Sequence, residues 1–190
     1  QQGVDDEPLA GLASACGDGE VSDEVAEALA IAFLSRRRPH DALEVLKQIQ
    51  PDMLGASWQA VLAGLAHLQI GNPSVAERAF EDAAQDAGLR PLALALLGRA
   101  HLARGERSEA IAALNEAVAQ WPGEPAWQAS LASLYLDEGS LDSALPHLQT
   151  ASELAPENGA VRLALARALR DGGHFSEALN AFERVLPHAP

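Results

Sequence analysis

His67 and His101 stand 34 residues apart, and two imidazoles could begin a zinc site. Zinc takes four protein ligands in a structural site, or three and a water in a catalytic one, and no third or fourth ligand accompanies this pair. Cys16 is the single cysteine. A lone thiol excludes an internal disulfide framework and a cysteine-cluster metal site, and leaves two readings, a small buried hydrophobe or an intermolecular disulfide. Carboxylates such as Glu81, Asp82 and Asp86 could pair for acid–base work, but no cleft signal goes with them. The sequence contains no phosphate-binding glycine loop ending in Lys-Ser or Lys-Thr and no Gly-x-Ser-x-Gly elbow; Lys47 is the only lysine. No catalytic, cofactor-binding or metal-binding residue is therefore assigned, and the chain is expected not to be an enzyme.

Charge narrows the partners. The net charge is −14, whereas a phosphate backbone needs a basic surface to replace its counterions. The single basic run, Arg36-Arg37-Arg38, precedes Pro39 and reads as a solvated turn rather than an anion site. Nucleic acid is excluded as an expected partner, and basic proteins or peptides stay open. No run approaches the roughly 18 apolar residues of a membrane span. No secretory signal is visible, and because a removed one leaves no trace, the compartment is left open.

The spacing of the two histidines belongs to a longer pattern. Ala42, Ala76, Ala110, Ala144 and Ala178 repeat at 34 residues. Four residues after each comes Leu46, Phe80, Leu114, Leu148 or Phe182, and twelve before each comes Ala30, Gly64, Gly98, Ala132 or Ala166. Gly71, Gly105, Gly139 and Gly173 interrupt the later units, and Pro122, Pro156 and Pro190 close three of them. Small residues let paired helices approach, and larger ones fill the space between at near-crystal density. The glycines suit a left-handed helix end. Ser74, Ser108, Asp142 and Ser176 are expected to cap the second helices. A fixed period of this length marks a solenoid, in which each unit touches only its neighbours.

The columns resemble the tetratricopeptide repeat family, whose unit is helix, turn, helix. The resemblance rests on Leu97, Gly98, His101, Ala110, Leu114, Ala117 and Pro122 in one unit, and on Leu131, Ala132, Tyr135, Ala144, Leu148, Ala151 and Pro156 in the next. It implies an all-α fold, a right-handed superhelical α-solenoid of antiparallel helix hairpins. Five units are expected at 23–56, 57–90, 91–124, 125–158 and 159–190, after an N-terminal segment 1–22 carrying a short capping helix over 8–16. In the first unit Arg37 stands where the others have glycine, and Pro51 comes early, so its second helix is expected to be shorter. His67 and His101 share the column of Phe33, Tyr135 and Leu169, where the family usually carries an aromatic. A flat, half-buried ring is thus the structural reading of both, set against a shared metal.

The resemblance also implies a function. First helices in this family line a concave groove for protein or peptide partners. Carried over by column, the groove comprises Trp58, Val61, Leu62, Leu65 and Leu68, then Leu92, Leu96, Arg99 and Leu102, with Arg167 and Arg170 near the end. Each leucine has a competing reading as packing between first helices; Trp58 is the expected anchor. Glu27, Val61 and Ala95 occupy the column where one subfamily holds a carboxylate-clamping lysine, so no chaperone-tail clamp is expected. The leading reading is a non-catalytic interaction scaffold without a cofactor, its partner a protein or peptide with apolar and acidic character. Two alternatives stay beside it. Leu179, Phe182, Val185 and Leu186 leave an apolar face on the last unit, which suits end-to-end contact with another copy and a homo-oligomer or filament. The same bare face suits a recruitment domain cut from a longer protein.

Overall fold

The computed structural model describes residues 22–49 and 55–185. The expected helix over 8–16, Cys16 and Leu186 lie outside the described residues. Ten helices and no strand occur among them, so the chain is all-α. They are α1 (Asp23–Ser35), α2 (Pro39–Leu46), α3 (Ala56–Ile70), α4 (Pro73–Ala83), α5 (Arg90–Arg104), α6 (Arg107–Gln120), α7 (Pro125–Asp137), α8 (Leu141–Leu154), α9 (Gly159–Asp171) and α10 (Phe175–Val185). As expected, α2 is short, with 8 residues. The chain divides into two compact units, Gln1–Glu106 and Arg107–Pro190.

In the first unit α1 packs on α2, α2 on α3, α3 on α4 and α4 on α5. The repeated alanines explain how closely: Ala42 and Ala76 have no exposed surface. Phe33, Phe80, Val45 and Leu62 fill the space around them, with Leu43, Trp58, Ala63 and Leu65 packed against the core from outside. The second unit repeats the arrangement with α6 on α7, α7 on α8, α8 on α9 and α9 on α10. Ala110 and Ala144 are fully buried and Leu114 and Leu148 nearly so; Leu141, Leu145 and Leu165 flank this core.

One turn design ends every first helix. After α1, the Arg38 amide donates to the Phe33 carbonyl at 2.8 Å and the Arg37 amide to Leu34 at 3.1 Å. The same pair recurs as Asn72 to His67 with Gly71 to Leu68, and as Ser140 to Tyr135 with Gly139 to Leu136. These bonds satisfy carbonyls the helix leaves open, and the residue between must be left-handed. Gly71, Gly105, Gly139 and Gly173 have φ of 74 to 90°. Arg37 occupies the same place at φ 57°, which strains an L residue. Its side chain is exposed, while Arg38 lies over the Phe33 ring at 4.9 Å and pairs with Asp41 at 2.8 Å. Arg37→Gly is therefore expected to raise stability by up to about 1 kcal/mol, strain relief outweighing the added unfolded-state entropy, seen as a higher urea midpoint at unchanged slope.

The expected caps are corrected. Ser74 and Asp142 are the second residues of α4 and α8, not their N-caps; those are Asn72 and Ser140, and neither makes a side-chain cap bond. Side-chain caps occur instead at first helices. Glu124 accepts from the Ala126 amide at 3.2 Å, and Asn158 Oδ1 accepts from Ala160 and Val161 at 3.1 and 3.3 Å.

Candidate functional site

The residues carried into the expected groove lie on α3, α5 and α9 and differ sharply in exposure. Val61, Leu62 and Leu96 are buried, at 1, 2 and 6%, and hold helices together. Trp58 and Leu65 are half-buried against the core of the first unit. Leu68 and Leu92 are half-buried, and Arg99 and Leu102 are exposed. α3 and α5 touch directly, so these residues stand on neighbouring helices. Arg99 and Leu102, three residues apart, share one face of α5. In the second unit Arg167 and Arg170 are both exposed, and Arg170 is bound to Asp171 at 2.8 Å. On α10, Leu179 is 60% exposed and Phe182 is half-buried; Val185 ends the helix.

The two histidines have separate surroundings. His101 Nδ1 lies 2.9 Å from Glu106 Oε2, and Arg104 bridges Glu106 to Glu77, clamping the turn after α5 onto α4. His67 Nδ1 is buried without a hydrogen-bond partner. Among the described residues no group of three metal-ligating side chains converges.

Periodicity could not reveal a polar network in the second unit. Gln128, 4% exposed, donates to the Pro122 carbonyl at 3.0 Å, and its Oε1 lies 2.8 Å from His147 Nδ1. The His147 ring stacks on Tyr135 at 5.8 Å between centroids, and Asn115 donates to the Tyr135 hydroxyl at 2.9 Å. Gln128 Oε1 can only accept, so neutral His147 carries its proton on Nδ1. Burial lowers the His147 pKa from 6.5. The unfolded chain therefore takes up a proton first as pH falls, and stability declines as pH drops below about 6.5. Urea midpoints at pH 7.5 and 5.5 are expected to differ less in His147→Gln than in wild type.

The second unit also contains an open, mainly apolar pocket of about 230 Å³. Ala129, Ser133 and Leu136 of α7, Leu148 of α8, and Ala160, Val161 and Ala164 of α9 line it. No helix among the described residues is long and apolar enough to cross a membrane.

Models of the tetratricopeptide repeat match residues 61–125 and 135–190, together more than half of the chain. No curated protein matches the sequence. Among solved structures, a crystal structure of MamA aligns with a TM-score of 0.68 at 18% identity, covering 82% of this chain and 91% of that one. MamA of AMB-1 aligns at 0.66 and 20% identity, over 85% and 88%. The nearly identical TPR-like repeats of a kinesin light chain-type protein of Podosopora anserina align at 0.65 and 21%, over 85% and 92%. At such identities the likeness is one of fold, the all-α helical-repeat class expected from the columns.

Proposed function

The chain belongs to the tetratricopeptide repeat family, and from that premise we propose that it is a non-catalytic scaffold for a protein or peptide partner. The partner lies along the concave groove that first helices line in this family. The observation that carries the reading is the Arg99–Leu102 face of α5, a cation beside a 38% exposed leucine on a helix otherwise rich in buried residues. Neither side chain supports the core, and each suits a partner with apolar and acidic groups. The test is paired affinity capture from source cells, wild type against Arg99→Glu with Leu102→Glu. A partner held by wild type and lost by the variant, at equal melting temperature, is expected. Equal capture by both would remove this surface from the function.

A second reading is favoured by α10, where Phe175 and Leu179 are 70 and 60% exposed one helical turn apart. Their counterparts 34 residues earlier, Leu141 and Leu145, pack against the same buried cluster as Ala164 and Leu165 of the following hairpin. A helix of that type, supplied by another copy, would cover α10 and give a homo-oligomer. Light scattering is expected to register a concentration-dependent mass that Leu179→Glu abolishes; a monomer at all concentrations counts against it.

A further inference from the structure

The pocket between α7, α8 and α9 exists because the repeat register places small side chains where the first unit has large ones. Two periods earlier, Ala129, Ser133, Ala160 and Ala164 correspond to Val61, Leu65, Leu92 and Leu96, and Leu148 corresponds to Phe80. In the first unit these side chains occupy the junction: Val61, Leu96 and Phe80 are at most 6% exposed, and Leu65 packs on the core. In the second unit the truncated leucines leave an opening of about 230 Å³, floored by Leu148 and Val161, which are 2 and 7% exposed.

The rim supplies a charge. Arg167 is three residues from Ala164 and seven from Ala160, which puts all of them on one face of α9, with the Arg167 backbone about one helical turn, roughly 5 Å along the axis, beyond Ala164. Arg167 is exposed. On the same helices Arg170 pairs with Asp171 and Asp137 with Arg107.

We propose that this pocket is a subsite for a peptide segment that inserts one leucine-sized aliphatic side chain and sets an Asp or Glu carboxylate against Arg167. The proposal rests on the scaffold reading and names what the second unit recognises. The partner supplies the side chain that the register omits, as an anchor in a desolvated pocket, and the carboxylate orients it. In a helical segment the acidic residue stands three or four positions from the anchor.

The test uses peptides selected from a random library on the full chain, followed by titration. The selected peptides are expected to share an aliphatic anchor with a nearby acid. Ala164→Leu, which restores the first-unit residue, is expected to weaken them about tenfold or more while the melting temperature holds or rises. Ala160→Leu gives the same answer from a second wall position should Ala164→Leu misfold. Arg167→Ala is expected to weaken them about two- to fivefold, less so at high salt. Methyl resonances of Leu148 and Val161 move when the peptide binds. Peptides that bind the filled-pocket variants as tightly as wild type, or leave those methyls unmoved, overturn the subsite and leave the scaffold reading standing. Failure to select any peptide counts against both.

Discussion

Leu96→Ala is expected to lower the unfolding free energy by about 2–5 kcal/mol, the range for removing a buried leucine where neighbours close the gap only in part. Leu96 is 6% exposed on a helix whose Pro91, Ala93, Leu94, Ala95 and Leu97 are also buried. The loss should therefore appear in urea or thermal unfolding, and any fall in partner binding should track the folded fraction. Leu102→Ala, 38% exposed on the same helix, is expected to leave the midpoint within about 0.5 kcal/mol. The pair separates a residue that builds α5 from one that α5 presents. A Leu96→Ala protein as stable as wild type would contradict this placement.

Gly64→Ala is expected to cost about 1–3 kcal/mol, although alanine ordinarily favours a helix interior by about 1 kcal/mol. A Cβ on Gly64 would meet three carbons of the Phe80 ring within 2.8 Å, and Phe80 is completely buried, so the ring has nowhere to turn. The repeat contains the remedy. At the same two columns, Ala30 goes with Leu46 and Ala132 with Leu148: where the small residue gains a methyl, the large one is no longer aromatic. Ala166 goes with Phe182, which is half-buried and less confined. Adding Phe80→Leu to Gly64→Ala is accordingly expected to recover most of the loss, a non-additivity that touching residues permit and distant ones do not. Additive single-mutant effects would rule out a direct contact between these two sites.

Much of the fold was legible because the 34-residue columns are physical positions. Ala42, Ala76, Ala110 and Ala144 fall at helix contacts, and the four glycines fall at left-handed turns. Arg37 completed that turn series without the residue type that announces it, since the two backbone bonds matter more to the turn than the strain of one side chain. The caps were missed because a Ser or Asp near a helix start does not say whether it is the cap or lies inside the first turn. Among the expected groove residues, Arg99 and Leu102 emerge on the surface, whereas Val61, Leu62 and Leu96 are buried. Column position places a side chain on a helix face, and what stands opposite decides its burial. The Gln128–His147–Tyr135 network joins residues on different helices, and no spacing along the chain encodes such a pairing. The α7–α9 pocket was partly legible: two periods before Ser133 and Ala164 stand Leu65 and Leu96, and the missing volume is written in that difference.

The central claim, that first-helix faces receive a protein partner, is tested most directly by amide hydrogen exchange with and without the captured partner. Slowed exchange on α3 and α5, reduced by Arg99→Glu with Leu102→Glu, is the predicted result. Protection confined to the second helices α4, α6 and α8, unchanged by those substitutions, would contradict it.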